Sequence, residues 1–279
     1  MLDETLQEKY DALLTALAKF GNVAVAFSGG VDSTLLLKAA QQALGANVLA
    51  LIGRSPAKPQ RETDAAVQFA KDEGIRHIVV DTREFDVDGF DHNPENRCYL
   101  CKREMFTQFI ATATRLGFKH LAEGSNADDS TDWRPGEKAL SELHVASPLR
   151  DAGLVKQEIR DISRELGLAT WNKPSYSCLL SRFEYDELLS DEKLERVDAA
   201  EVALMELGFS QVRVRVKGND ARIELEPADI ERAAQSDMRT TIVEALHAQG
   251  FVHISLDLTG YRFGSMDEGR ASGLPEARP

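Results

Sequence analysis

Leu13, Leu14, Leu17 and Phe20 recur at helical spacing within residues 6–20, which predicts an amphipathic entry helix. Directly beyond it the period changes. Residues 23–27 form a continuous apolar run that collides with Ser28, Gly29 and Gly30, and helical spacing resumes over 33–44 through Leu36, Leu37 and Ala40. That succession of textures predicts a strand, a glycine turn and a helix. Apolar runs at 48–52 and 77–80 predict two more strands, with helices over 62–73 and 102–116, a fourth strand at 120–124 and a helix over 156–166 ended by Gly167. Strands apolar on both faces and separated by helices predict an α/β domain built on a parallel sheet with crossover helices.

Past Trp171 the texture shifts, because Asn172-Lys173-Pro174 interrupts helical continuation and a serine-rich stretch precedes Phe183. A boundary there divides the chain into expected domains 1–182 and 183–279, the second a smaller α+β unit. Its pattern reads as a helix over 191–207, two strands at 212–216 and 221–225 around a Gly-Asn-Asp turn, helices within 227–249 and a last strand at 252–258. The chain has 279 residues, 43% hydrophobic and 28% charged, and carries a formal net charge of −13. That acidity argues against a general nucleic-acid backbone binder. The start of the chain carries no basic and apolar leader, and no apolar run approaches the length of a membrane helix, so the expectation is a cytoplasmic protein without a membrane partner.

The turn Ser28-Gly29-Gly30-Val31-Asp32-Ser33 sits between a buried strand and a helix start, where backbone amides and the helix dipole converge on an anion. Gly29 and Gly30 let phosphate oxygens approach the main chain, Ser28 and Ser33 add hydroxyls, and Asp32 is placed to hold magnesium. Neither the P-loop pattern nor the dinucleotide Gly-x-Gly-x-x-Gly pattern occurs. The polar loop after the fourth strand, with Gly124, Asp128, Asp129 and Asp132, is expected to open beside that turn as a magnesium or substrate site, against the alternative of a solvated acidic turn. Arg134 and Lys156 are candidates for neutralising phosphate, or else ordinary surface charges.

Cys98 and Cys101 lie one short turn apart, and Cys178, in a Ser/Arg-rich segment with Ser181 and Arg182, is the only other thiol. Three thiols suit three corners of a [4Fe-4S] cluster whose fourth iron binds an exogenous sulfide; a zinc site, a redox pair and unrelated buried thiols are the alternatives. Arg213 and Arg215 alternate on one face of an expected strand, where they grip a phosphate or carboxylate or else line a solvated face. Glu201 and Glu224 are candidate general bases or metal ligands, with surface carboxylates the expectation in so acidic a chain, and the six histidines form no ligand spacing.

The hexapeptide at 28–33 resembles the pyrophosphatase loop of the N-type ATP pyrophosphatases, which include GMP synthetase, NAD synthetase and the thiouridine synthetases. The resemblance implies a PP-loop fold, cleavage of ATP between its α- and β-phosphates, activation of an oxygen by AMP, and a base held near Ile52, Gly53 and Ser55. Ser147-Pro-Leu-Arg150, Trp171-Asn-Lys-Pro174, Cys178-Leu-Leu-Ser-Arg-Phe183, Val212-Arg-Val-Arg215 and Ala221-Arg-Ile-Glu224 are similar to segments of the LarE family, sulfur transferases that mature the nickel-pincer cofactor of lactate racemase. This likeness implies an ATP- and magnesium-dependent enzyme that converts the carboxylates of pyridinium-3,5-biscarboxylic acid mononucleotide to thiocarboxylates, and a homo-oligomer. Members with only the cysteine matching Cys178 sacrifice its sulfur, whereas members that also carry a Cys-x-x-Cys pair use a cluster. This chain has the pair, so the resemblance implies Cys98, Cys101 and Cys178 as cluster ligands, Arg213 and Arg215 as anion ligands, and Ser181 and Arg182 in the same pocket. A tRNA thiolation enzyme and a nucleotide-responsive metal scaffold without turnover remain the competing readings.

Overall fold

The computed structural model describes residues 2–131, 135–174 and 177–262, and the chain divides into two compact units, Met1–Tyr176 and Ser177–Pro279. In the first unit the elements run α1 (Glu4–Ala18), β1 (Val23–Ala26), α2 (Val31–Leu44), β2 (Val48–Arg54), α3 (Gln60–Asp72), β3 (His77–Asp81), α4 (Arg97–Arg115), β4 (Leu121–Ala122), α5 (Pro135–Glu142), α6 (Pro148–Asp151) and α7 (Lys156–Glu165). The four strands are all parallel in the order β3-β2-β1-β4, the expected α/β architecture.

Side-chain alternation along the strands explains why they read as unbroken apolar runs. Val23, Val25, Val48, Ala50 and Ile52 point to a core shared with Leu13 and Leu17 of α1, Leu35 and Leu36 of α2 and Ile159 and Ile162 of α7. Their neighbours Ala24, Leu49 and Leu51 point the other way, onto Phe106, Phe109 and Ala113 of α4 and Leu140 of α5. Each such buried Val, Leu or Phe contributes about 1.5–3 kcal/mol, so a helical layer on each face is what lets a sheet this apolar remain in water. Within the described residues no helix is long and apolar enough to cross a membrane.

The strand order decides where a ligand can sit. From β1 the chain moves outward through β2 to β3 and then returns to place β4 on the opposite side of β1. The carboxyl ends of β1 and β4 therefore flank a topological switch point, the crevice where open α/β sheets bind ligands. Strand β4 is only two residues long, shorter than the stretch expected at 120–124, because the chain leaves the sheet at Glu123 to bond along Ala146 and then close over α2.

The second unit holds α8 (Asp191–Glu206), β5 (Val212–Lys217), β6 (Asp220–Leu225), α9 (Ile230–Ala234), α10 (Ser236–Ala248) and β7 (His253–Leu256). Strands β5 and β6 form an antiparallel hairpin, and β7 joins β6 in parallel.

Candidate active site

Strand β1 ends against Gly29, whose φ of +77° only glycine adopts without strain and whose absent side chain leaves room for Ala66, 3.2 Å from where a Cβ would lie. The turn is cross-braced by its own hydroxyls. Ser28 Oγ and Ser33 Oγ are 3.0 Å apart, the Ser28 amide donates to Ser33 Oγ at 3.3 Å, and the Gly30 amide donates to Ser28 Oγ at 3.3 Å. Helix α2 then begins on Gly30 with no side-chain cap on its first amides, and an uncapped helix start is what suits an anion. Gly124, arriving from β4, packs against this helix start: a Cβ there would lie 3.0 Å from the Ser33 nitrogen and 3.3 Å from the Asp32 carbonyl carbon.

Three ammonium groups gather on this turn in a chain whose net charge is −13. Lys156 Nζ is 2.5 Å from Asp32 Oδ2, Lys173 Nζ donates to the Gly29 carbonyl at 3.1 Å while pairing with Glu62 at 2.7 Å, and Lys58 Nζ reaches the Ser28 carbonyl at 3.4 Å. Burial pushes the Lys58 amine down from 10.5 to about 8; Glu62 opposes the shift and the neighbouring Lys173 charge reinforces it. The Asp32 carboxylate also accepts from Asn126 Nδ2 at 3.4 Å.

The acidic loop is built largely from its own backbone bonds. Asp128 Oδ2 accepts the Lys156 amide at the start of α7 at 2.8 Å, and Asp129 Oδ2 accepts the Asn126 amide at 2.9 Å. Asp132 and Arg134 lie outside the described residues. Buried Glu123 accepts from Ser125 and, at 2.6 Å, from Ser147, which in turn accepts from Arg150. Ser55, expected near the base, turns its hydroxyl onto buried Glu84, whose second oxygen has no hydrogen-bond partner among the described residues.

Helix α4 begins at Arg97, ahead of the expected start at 102, so Cys98 and Cys101 occupy its opening turns three residues apart on one face. Cys98 is exposed and Cys101 half-buried; no disulfide involves either, or Cys178. Cys178 belongs to the second unit, where it is exposed at the head of a short turn whose next two residues, Leu179 and Leu180, are buried. Among the described residues no group of three or more His, Cys, Asp or Glu side chains is gathered as a metal site.

Of the arginines expected to face a ligand around Cys178, Arg182 and Arg213 are buried and Arg215 is half-buried. Arg182 and Glu201 are fully buried and form a two-pronged ion pair at 2.7 and 3.0 Å. Arg215 bonds Glu224 at 2.9 Å and the Ser181 carbonyl at 2.5 Å. Arg213, 1% exposed, donates to the Val212 carbonyl at 2.7 Å and lies over the Tyr261 ring, and burial first, then the Arg182 charge, lower its guanidinium below the ordinary value. The expectation that Glu201 and Glu224 are surface carboxylates is corrected: both are buried, because each meets a guanidinium that satisfies it.

The sequence profile of the NAD synthase family matches residues 7–104, which include the glycine turn and both cysteines of α4. The pyridinium-3,5-bisthiocarboxylic acid mononucleotide synthase of Lactiplantibacillus plantarum is 36% identical over 265 residues, 95% of this chain and 95% of that protein. The chain belongs to the LarE family. An uncharacterized protein of Synechocystis sp., slr1717, is 40% identical over 262 residues, 94% of this chain and 98% of that protein. Beyond such full-length likeness, a component of the glutamine-hydrolysing GMP synthase of Thermoplasma volcanium is 26% identical over 169 residues, 55% of this chain and 54% of that protein. In this LarE-family chain, Lys58, Lys173, Glu62, Asn126 and Glu84 join the candidate site through these contacts, and sequence reasoning gave them no role. Lys58 and Lys173 each sit beside a proline in a stretch that reads as loop, a pattern that carries no sign of burial.

Proposed function

We propose that this protein is an ATP-dependent sulfur transferase that adenylylates the carboxylates of pyridinium-3,5-biscarboxylic acid mononucleotide and converts them to thiocarboxylates. The observation that carries the reading is the convergence of Lys58, Lys156 and Lys173 on an uncapped glycine turn, in a chain akin along 95% of its length to a bisthiocarboxylate synthase. The triphosphate lies across the amides of residues 29–33, with the three ammonium groups neutralising its charge. A substrate carboxylate oxygen attacks the α-phosphorus, the bond to the β-phosphate oxygen breaks, and pyrophosphate leaves with its charge held by Lys58 and Lys173. A sulfur nucleophile then adds to the acyl carbon, and AMP departs with the former carboxylate oxygen.

Asp32 fits a nucleotide-borne magnesium, which takes most of its ligands from phosphate and water and needs one or two carboxylates from the protein. Lys156, which pairs with Asp32 at 2.5 Å, is the counter-ion that such a cation would replace. Cys98, Cys101 and Cys178 are the residues that would hold a [4Fe-4S] cluster, and three soft thiolates suit iron-sulfur coordination. Such a cluster, when bound, supplies a transferable sulfide at the iron no protein thiolate ligates. Ser28 and Ser33, whose hydroxyls brace the turn, would position phosphate, and the base would be received near Ser55, whose hydroxyl bonds Glu84. The test is pyrophosphate release by purified protein with magnesium-ATP. Release that requires the biscarboxylate mononucleotide supports the reading, and release indifferent to it contradicts it.

A further inference from the structure

The turn bearing Cys178 is tied down by a side chain that cannot reach solvent. Arg182 spends Nε and Nη2 on the two oxygens of Glu201, at 2.7 and 3.0 Å. Its remaining nitrogen, Nη1, faces four oxygens of the thiol turn: the Ser177 carbonyl at 3.2 Å, Ser177 Oγ at 2.8 Å, the Cys178 carbonyl at 3.1 Å and Ser181 Oγ at 2.7 Å. Ser181 Oγ closes the ring by donating to the Cys178 carbonyl at 2.8 Å, and Arg215 takes the Ser181 carbonyl from the β5 side. Glu201 is itself fixed to the sheet, because its Oε1 accepts the Val214 amide at 3.1 Å. The result is one continuous path from β5 through Glu201 and Arg182 to both sides of an exposed cysteine whose neighbours Leu179 and Leu180 are buried anchors.

We propose that Arg182, locked by Glu201, is a positioning residue for Cys178: it fixes the turn from which that thiol serves sulfur transfer and touches no substrate itself. The inference rests on the reading that Cys178 takes part in sulfur transfer. The geometry needs an arginine. A planar fork can satisfy a carboxylate with two nitrogens while the third gathers carbonyls, whereas a lysine ammonium keeps the charge opposite Glu201 without spanning both. Full burial, with every nitrogen held by an oxygen of the protein, keeps the guanidinium away from a phosphate or carboxylate of the substrate.

Arg182→Lys in the full-length protein separates positioning from folding, and Arg182→Met combined with Glu201→Gln is the second variant, neutral at the buried pair and still able to accept the Val214 amide. Amide hydrogen exchange across residues 179–183 is expected to quicken by at least about tenfold in both, with β5 and β6 unchanged. The kcat for thiocarboxylate formation is expected to fall by about 100-fold, as a displaced reacting group demands. The KM for ATP is expected to stay within about twofold. Exchange across 179–183 equal to the parent's, or a loosened turn with unchanged kcat, overturns the proposal. Cys178→Ala tells the two failures apart: full activity there overturns the sulfur reading, whereas its loss beside an unimpaired Arg182→Lys overturns positioning alone.

Discussion

Replacing Lys58 by methionine removes one ammonium from the glycine turn while keeping the buried stem. In the protein without nucleotide, burial holds the amine at about 8 instead of 10.5, which corresponds to up to about 3 kcal/mol in favour of the neutral form. The folded value lies below the unfolded one, so the unfolded chain binds the extra proton between those two values. Stability therefore rises with pH across that window, and below pH of about 8 the buried charge is carried at constant cost. A triphosphate at the turn reverses the preference, because an adjacent anion favours the charged amine. At about pH 9, binding a non-hydrolysable ATP analogue is then expected to take up close to one proton, measured by calorimetry in two buffers of different ionisation enthalpy. A charge-assisted hydrogen bond contributes about 1.5–3 kcal/mol, so Lys58→Met is expected to weaken binding by about 10- to 100-fold and to abolish the proton uptake. Equal affinity and equal uptake in the variant would refute the placement of the phosphates beside Lys58.

Gly124→Ala drives a methyl into the main chain of Asp32 and Ser33, which cannot swing aside, so the melting temperature should fall by the equivalent of about 1–3 kcal/mol and ATP affinity with it. An unchanged thermal transition would count against that close approach. Lys173→Met strands the largely buried Glu62 and is expected to destabilise the first unit by about 3 kcal/mol in urea unfolding. Adding Glu62→Gln should recover much of the loss, and no recovery would mean that Lys173 acts through Gly29 alone. Cys98→Ala or Cys101→Ala, after anaerobic reconstitution, should lose bound iron and multiple turnover while ATP still binds; retained turnover refutes a ligand role for the pair.

Much of the first unit was legible because its signals are local. A strand buried on both faces writes an apolar run, and a phosphate turn writes Ser-Gly-Gly at the point where the run stops. The opening turns of α4 were less visible, since Arg97, Cys98 and Lys102 break the apolar period although the backbone is already helical. Glu201 carried a signal that composition hid: it occupies the apolar face set by Leu194, Val197 and Leu204, three and four residues apart, where a carboxylate survives only with a partner. That partner, Arg182, is close in sequence to Cys178 and across a helix from Glu201, a pairing only tertiary structure supplies. The arginines of β5 illustrate the same limit. Spacing by two put Arg213 and Arg215 on one face, but which of the two faces is covered depends on α8, Glu224 and Tyr261, none of them adjacent in sequence.

The most direct measurement mixes anaerobically reconstituted protein with magnesium-ATP, inorganic sulfide and the biscarboxylate mononucleotide, and counts thiocarboxylate by mass against AMP and pyrophosphate. The account predicts more than one thiocarboxylate per protein chain, with one AMP and one pyrophosphate for each. AMP and pyrophosphate formed without any thiocarboxylate would contradict it.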